Sequence, residues 1–269
     1  MLSFFLTTFA VTWSLWLAAS TVTSAGPRAV LFLLGTFTPG LVAVALTRRA
    51  TGRAGVLALL RRLVDWQVSV RWYIFALSYI AAVKLTVAVV HRAAIGTWPR
   101  FGDVPWYLMI AAAIASTVVG GQVGEELGWR GYALPRLTAR WGLGGASVLL
   151  GVVWAIWHLP LFFVDGASTQ GQSFPLYLLQ VTALSVAMAW LLAKTRGSLL
   201  PVMLLHAAVN NTKDIVPSAE AHATNPWGLS QSPVAWLTVA LLSICAGYFL
   251  LQIRRTPELT HDVAGLVAT

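Results

Sequence analysis

Long apolar stretches alternate with short polar breaks along almost the whole chain. Eight stretches read as membrane spans, which need about 17–25 residues each. They lie near 2–20, 29–47, 72–91, 104–126, 146–164, 175–193, 198–213 and 233–252. The seventh is short and opens on Ser198 and Pro201, a composition that helix starts tolerate. The pattern predicts an all-α, polytopic membrane helix bundle of about eight transmembrane helices. The first stretch, Leu2 to Ala19, has no basic residues ahead of it and is as long as a span. It is therefore expected to stay as a helix rather than act as a cleaved signal peptide.

The polar breaks carry a charge asymmetry. Arg48, Arg49, Arg53, Arg61, Arg62 and Arg71 fall between spans two and three. Arg130, Arg136 and Arg140 follow span four, Lys194 and Arg196 follow span six, and Arg254 and Arg255 follow span eight. The opposite side holds only Arg28, Arg92, Arg100 and Lys213. Because cytoplasmic loops are enriched in Lys and Arg, this pattern puts both termini in the cytoplasm. The expected location is a multi-pass position in a membrane, most simply a bacterial plasma membrane. Lys84, inside span three, is expected to snorkel to the interface. Three regions follow: helices one to three with a basic cytoplasmic loop (1–100, loop 48–71), a core (101–215), and a region of external loop, last span and tail (216–269). The external loop is expected near Thr212–Ser232, and the last dozen residues form the tail.

Composition agrees with the pattern. The chain is 58% hydrophobic and 10% charged, with a mean hydropathy of +0.74, against about 25% charged residues in soluble domains. The net charge of +9 does not point to nucleic acid, since the basic residues sit in membrane loops and no basic stripe is interleaved with aromatics. The expected partners are the lipid bilayer and a membrane-associated peptide or protein. The lone Cys245 cannot form an internal disulfide. The tryptophan-rich flanks read as interfacial anchors.

Ionisable groups inside a membrane are expensive and tend to face a protein interior or a wet cavity. Glu125 and Glu126 follow an apolar run, with Arg130 one turn later; His158, and then His206 with Asn210, lie in later spans. Glu126 and Arg130 stand at i,i+4 on one helix face, which leaves Glu125 rotated by about 100° toward something else. With turns at Trp141–Gly145 and Arg196–Gly197, Glu125 and His158 fall within about 5 Å of the same height, and His206 enters from the same side at 1.5 Å per residue. A carboxylate beside an imidazole can hold and deprotonate water. A second imidazole and an amide can donate hydrogen bonds to an oxyanion. Each group alone is equally consistent with interhelical hydrogen bonding or an ion pair. Asp165, His91, His222 and His261 fall at predicted edges or in loops and receive no role.

At these residues the chain resembles the CAAX-protease and bacteriocin-processing family (CPBP, or Abi) of intramembrane proteases. The motifs are Glu125-Glu126-Leu127-Gly128-Trp129-Arg130, Trp154-Ala155-Ile156-Trp157-His158 and His206-Ala207-Ala208-Val209-Asn210. The resemblance covers about 104–211, and its one departure is Trp154, where the family usually has Phe. It implies a helical core of about eight spans with a site opening to the cytoplasm. It also implies that Glu125 and His158 activate water, His206 and Asn210 form the oxyanion site, and Glu126 with Arg130 support them. The family has been described both as metalloproteases and as metal-free glutamate-dependent proteases. Glu125, His158 and His206 are the right kinds of ligand for zinc, but the chain has no His-Glu-x-x-His, so no metal is the expectation. For a bacterial host, a C-terminal Cys prenyl motif is not the expected target. The alternatives are a non-proteolytic scaffold or bacteriocin-immunity protein and, further off, a transporter, which would show paired broken helices in two halves.

Overall fold

In the computed structural model, which describes residues 1–119, 121–164, 167, 169–212, 225–229 and 231–267, the apolar runs fold as helices. They are α1 (Leu2–Thr21), α2 (Ala25–Arg61), α3 (Val70–Ile95), α4 (Trp106–Val119), α5 (Gln122–Glu126), α6 (Leu134–Trp157), α7 (Phe174–Lys194), α8 (Leu200–Asn211), α9 (Pro233–Arg255) and α10 (Glu258–Gly265). A π-helical turn, Leu127–Ala133, joins α5 to α6, and a 3-10 turn, Leu159–Phe162, follows α6. There are no strands among the described residues. The molecule is an all-α membrane bundle.

Six helical stretches are long and apolar enough to cross a bilayer among the described residues. The expected fourth and seventh spans are shorter. α4 has 14 residues and α8 has 12, about 21 and 18 Å at 1.5 Å per residue, against a hydrocarbon core of about 30 Å. The fourth span stops at Val119, and α5 begins again after Gly121, whose φ of 94° is left-handed. The two short helices pack on each other, and the Asn211 amide donates to Ser116 Oγ at 2.8 Å.

Several boundaries differ from the sequence expectation. The basic loop 48–71 is helical as far as Arg61, because α2 continues past a bend at Gly52 (φ 69°, ψ −158°). The tail is partly folded: α10 buries Leu259 and Val263 and packs on α6 and α7. Lys84 lies buried on the inner face of α3 instead of reaching the interface. The predicted turn near 141–145 is present, because Gly142 (φ 67°, ψ 164°) leaves the helical region and bends α6. Lys213, Asp165, Asp214, His222 and most of the predicted external loop lie outside the described residues.

α7 is the central helix. It is buried almost continuously from Val181 to Ala193 and is packed by α6, α8, α9 and α10, which is the placement expected of a helix apolar on every side. α2 crosses the segment that carries the glutamates at backbone distance. A Cβ on Gly40 would lie 2.7 Å from the Gly124 carbonyl oxygen, and one on Gly128 would lie 2.5 Å from the Pro39 carbonyl carbon. Small residues permit such crossings in membranes. At the end of α2, Arg62 fastens the region from below. Its Nε donates to the Gly197 carbonyl and its Nη1 to the Gly131 carbonyl, both at 2.9 Å. Burial, with the nearby Arg136, lowers Arg62 to about 10, so the guanidinium remains charged at neutral pH.

Candidate active site

The bend at Gly142 returns α6 antiparallel to the segment 122–140, so residues before and after the bend meet across the hairpin. Trp129 packs edge-on against Trp157, ring centroids 5.7 Å apart. Glu125 and His158 face each other, with Oε2 4.0 Å from Nε2. That separation is too long for a hydrogen bond and suits a single bridging water. Glu125 is buried, and His158 is partly buried.

Local sequence explains why His158 stands where it does. Pro160 has no N–H with which to continue the helical ladder, and α6 ends at Trp157 with His158 as its C-terminal cap. The His158 Nδ1–H donates to the Trp154 carbonyl at 2.8 Å. A carbonyl can only accept, so this contact fixes the proton on Nδ1 and leaves the Nε2 lone pair toward Glu125 in the neutral ring. Trp157 (4.7 Å), Tyr177 (5.6 Å) and Trp16 (6.4 Å) enclose the imidazole.

Glu126 and Arg130 form the expected ion pair, Nη1 to Oε1 at 2.9 Å, with both side chains fully buried. The backbone between them is π-helical. This is a wider turn than the α-helix assumed from spacing, and such turns are frequent at functional sites. Glu126 Oε1 also accepts from His206 Nδ1 at 2.8 Å. Sequence spacing assigned Glu126 a partner on its own helix only; in the structure it ties α8 to the hairpin as well. Asn210, one turn beyond His206, is exposed, whereas His206 is buried.

Trp154 is the site residue whose part the sequence reading missed. Its indole Nε1–H donates to Glu125 Oε2 at 2.8 Å. The Arg130 guanidinium carbon lies 4.1 Å over its ring centroid, and the His206 ring meets it edge-on at 5.2 Å. An aromatic four residues before His158 was visible in the sequence; that its N–H would meet the carboxylate was not. Several tryptophans expected at interfaces are buried around the site, including Trp16, Trp129 and Trp157. α1 belongs to the same frame, since Trp13 Nε1 donates to the Trp157 carbonyl at 2.9 Å and Phe4 packs on Trp129 and Tyr132.

The metal question turns on donor geometry. Among the described residues, no three His, Cys, Asp or Glu side chains converge in a way that could hold an ion. His206 spends Nδ1 on Glu126 and His158 spends Nδ1 on a carbonyl. Both contacts leave Nε2 as the ring atom open to a further partner, and an N–H given to a carbonyl or carboxylate is also how metal-bound histidines are commonly held.

Comparison with known proteins falls on this same segment. A curated relative, CAAX prenyl protease 2 of Methanococcus maripaludis, is 33% identical over 99 residues, covering 34% of this chain and 36% of that protein. The chain thus matches only about a third of that relative's length. Residues 103–212, which carry all three motifs, match the family model described as type II CAAX prenyl endopeptidase Rce1-like, and over that segment the resemblance read from the motifs holds.

Proposed function

We propose that this chain is an intramembrane endopeptidase that hydrolyses a peptide bond of a membrane-associated substrate with water activated by Glu125 and His158. The observation that carries the reading is the 4.0 Å approach of Glu125 Oε2 to His158 Nε2, a gap of one water between two bases inside a hydrophobic bundle. A water there donates one proton to Glu125 while His158 Nε2 accepts from the other O–H. Its oxygen adds to the scissile carbonyl. The carbon–nitrogen bond then breaks as the proton held by Glu125 passes to the leaving amine.

His206 and Asn210 receive the developing oxyanion. With Nδ1–H given to Glu126, a neutral His206 would present a lone pair at Nε2. It donates to an oxyanion only when Nε2 also carries a proton. Arg130 then offsets the charge of Glu126. No metal enters this scheme.

The test uses purified wild type and the variants Glu125→Ala, His158→Ala and His206→Ala on a panel of membrane peptides, with and without a strong chelator. Cleavage by the wild type that is lost in Glu125→Ala and His158→Ala and untouched by chelator is the expected outcome. Hydrolysis that survives Glu125→Ala would sink the mechanism. Chelator loss rescued by zinc would sink the metal-free reading. If no peptide is cleaved while one membrane protein co-purifies equally with wild type and variants, the chain is a scaffold.

A further inference from the structure

Trp154 touches four members of the cluster. Its N–H holds one oxygen of Glu125, its carbonyl holds Nδ1 of His158, its ring face carries the Arg130 guanidinium, and His206 packs edge-on against it. The side chain is 3% exposed. We propose that Trp154 is a positioning residue that fixes the water-activating carboxylate through its indole N–H, a contact that phenylalanine at this place cannot make.

The physical argument concerns rotation. A glutamate side chain has three rotatable bonds, and among the described residues the Trp154 indole is the one hydrogen-bond donor to the Glu125 carboxylate: His158 stands 4.0 Å away. A donor at 2.8 Å on Oε2 selects one rotamer and one rotation of the carboxylate plane. The same oxygen faces His158, so the indole sets where a shared water can sit. Tryptophan suits the position because its N–H lies at the ring edge while the ring face remains for the cation. Its backbone carbonyl, one helical turn before His158, also fixes the partner imidazole. Both halves of the proposed water site are thereby referred to one residue of α6.

The inference rests on the protease reading for its kinetic arm and not for its spectroscopic arm. Trp154→Phe keeps an aromatic ring and removes the donor. Replacing Trp154 with 3-benzothienylalanine keeps the indole shape as well. Both are expected to lower kcat by about 10²-fold, the order seen when reacting groups are misplaced by about 1 Å, with KM within twofold and the unfolding midpoint little changed for the benzothienyl variant. A benzothienyl variant with wild-type kcat would overturn the proposal, since shape alone would then suffice. Equal losses in KM and thermal stability would reduce Trp154 to packing. Independently, among the indole N–H resonances of the 13 tryptophans, the one lost in Trp154→Phe is expected to move in Glu125→Gln. A resonance that does not move removes the hydrogen bond from the argument even if peptides are cleaved. A moved resonance in a protein that cleaves nothing would retain the contact while the protease reading fails.

Discussion

One oxygen of Glu126 accepts from both Arg130 and His206, inside a site where neither Glu126 nor Arg130 has any exposed surface. Removing one member of a buried ion pair leaves the other uncompensated and is strongly destabilising, by about 3–5 kcal/mol. Arg130→Ala is therefore expected to destabilise the protein by that order, measured by thermal or denaturant unfolding in detergent. The double variant Arg130→Ala with Glu126→Gln should recover part of the loss, because no bare charge remains. Glu126→Gln alone leaves Arg130 buried without its counter-charge and is expected to destabilise by a comparable amount. If Arg130→Ala were neutral, the pair would have to reach water, contrary to its burial. At this scale the sequence was legible in residue types but not in contacts. Glu126–Arg130 follows from i,i+4 spacing. His206–Glu126 joins residues 80 apart in sequence, and no local rule predicts it.

The helices that carry the site owe their closeness to small residues. A methyl group on Gly128 would collide with the backbone of Pro39 at 2.5 Å, and one on Gly247 would meet nothing within 4 Å. Gly128→Ala is expected to destabilise by about 1–3 kcal/mol, the usual cost of overpacking. Gly247→Ala in α9 should be neutral or stabilising by about 0.5–1 kcal/mol, the helix preference of alanine over glycine. Comparing their unfolding midpoints checks the crossing, and equal effects would refute it. Arg62→Ala frees the carbonyls of Gly131 and Gly197 and should loosen the turn that leads into α8, seen as faster hydrogen exchange near 197–200. Element existence was legible from hydrophobic runs, because a helix that crosses lipid must be apolar along its length. The π-helical turn, the left-handed Gly121 and the docked α10 were not. Each depends on what packs beside it, and α10 is only 8 residues long, too short to leave a clear pattern.

For the molecule as a whole, the N-terminal helices are part of the frame of the candidate site: α1 touches the end of α6 through Trp13, and α2 crosses the glutamate segment. The charge asymmetry of the loops predicts a direction for this bundle. In a Cys245→Ser background, a membrane-impermeant maleimide is expected to label Thr97→Cys in intact cells. It should label Arg53→Cys only after the membrane is opened, both positions being exposed on the protein. The reverse pattern would invert the topology. A last consequence comes from the widened turn at Leu127–Ala133. Such a turn accommodates one residue more than an α-helix would. Deleting a single residue from it would let an α-helix close up with its two flanks still in register, because the extra residue is what the widening holds. Deletion of Leu127 should then be tolerated better than deletion of Leu149 from the regular part of α6, which turns the chain on one side of it by about 100° relative to the other.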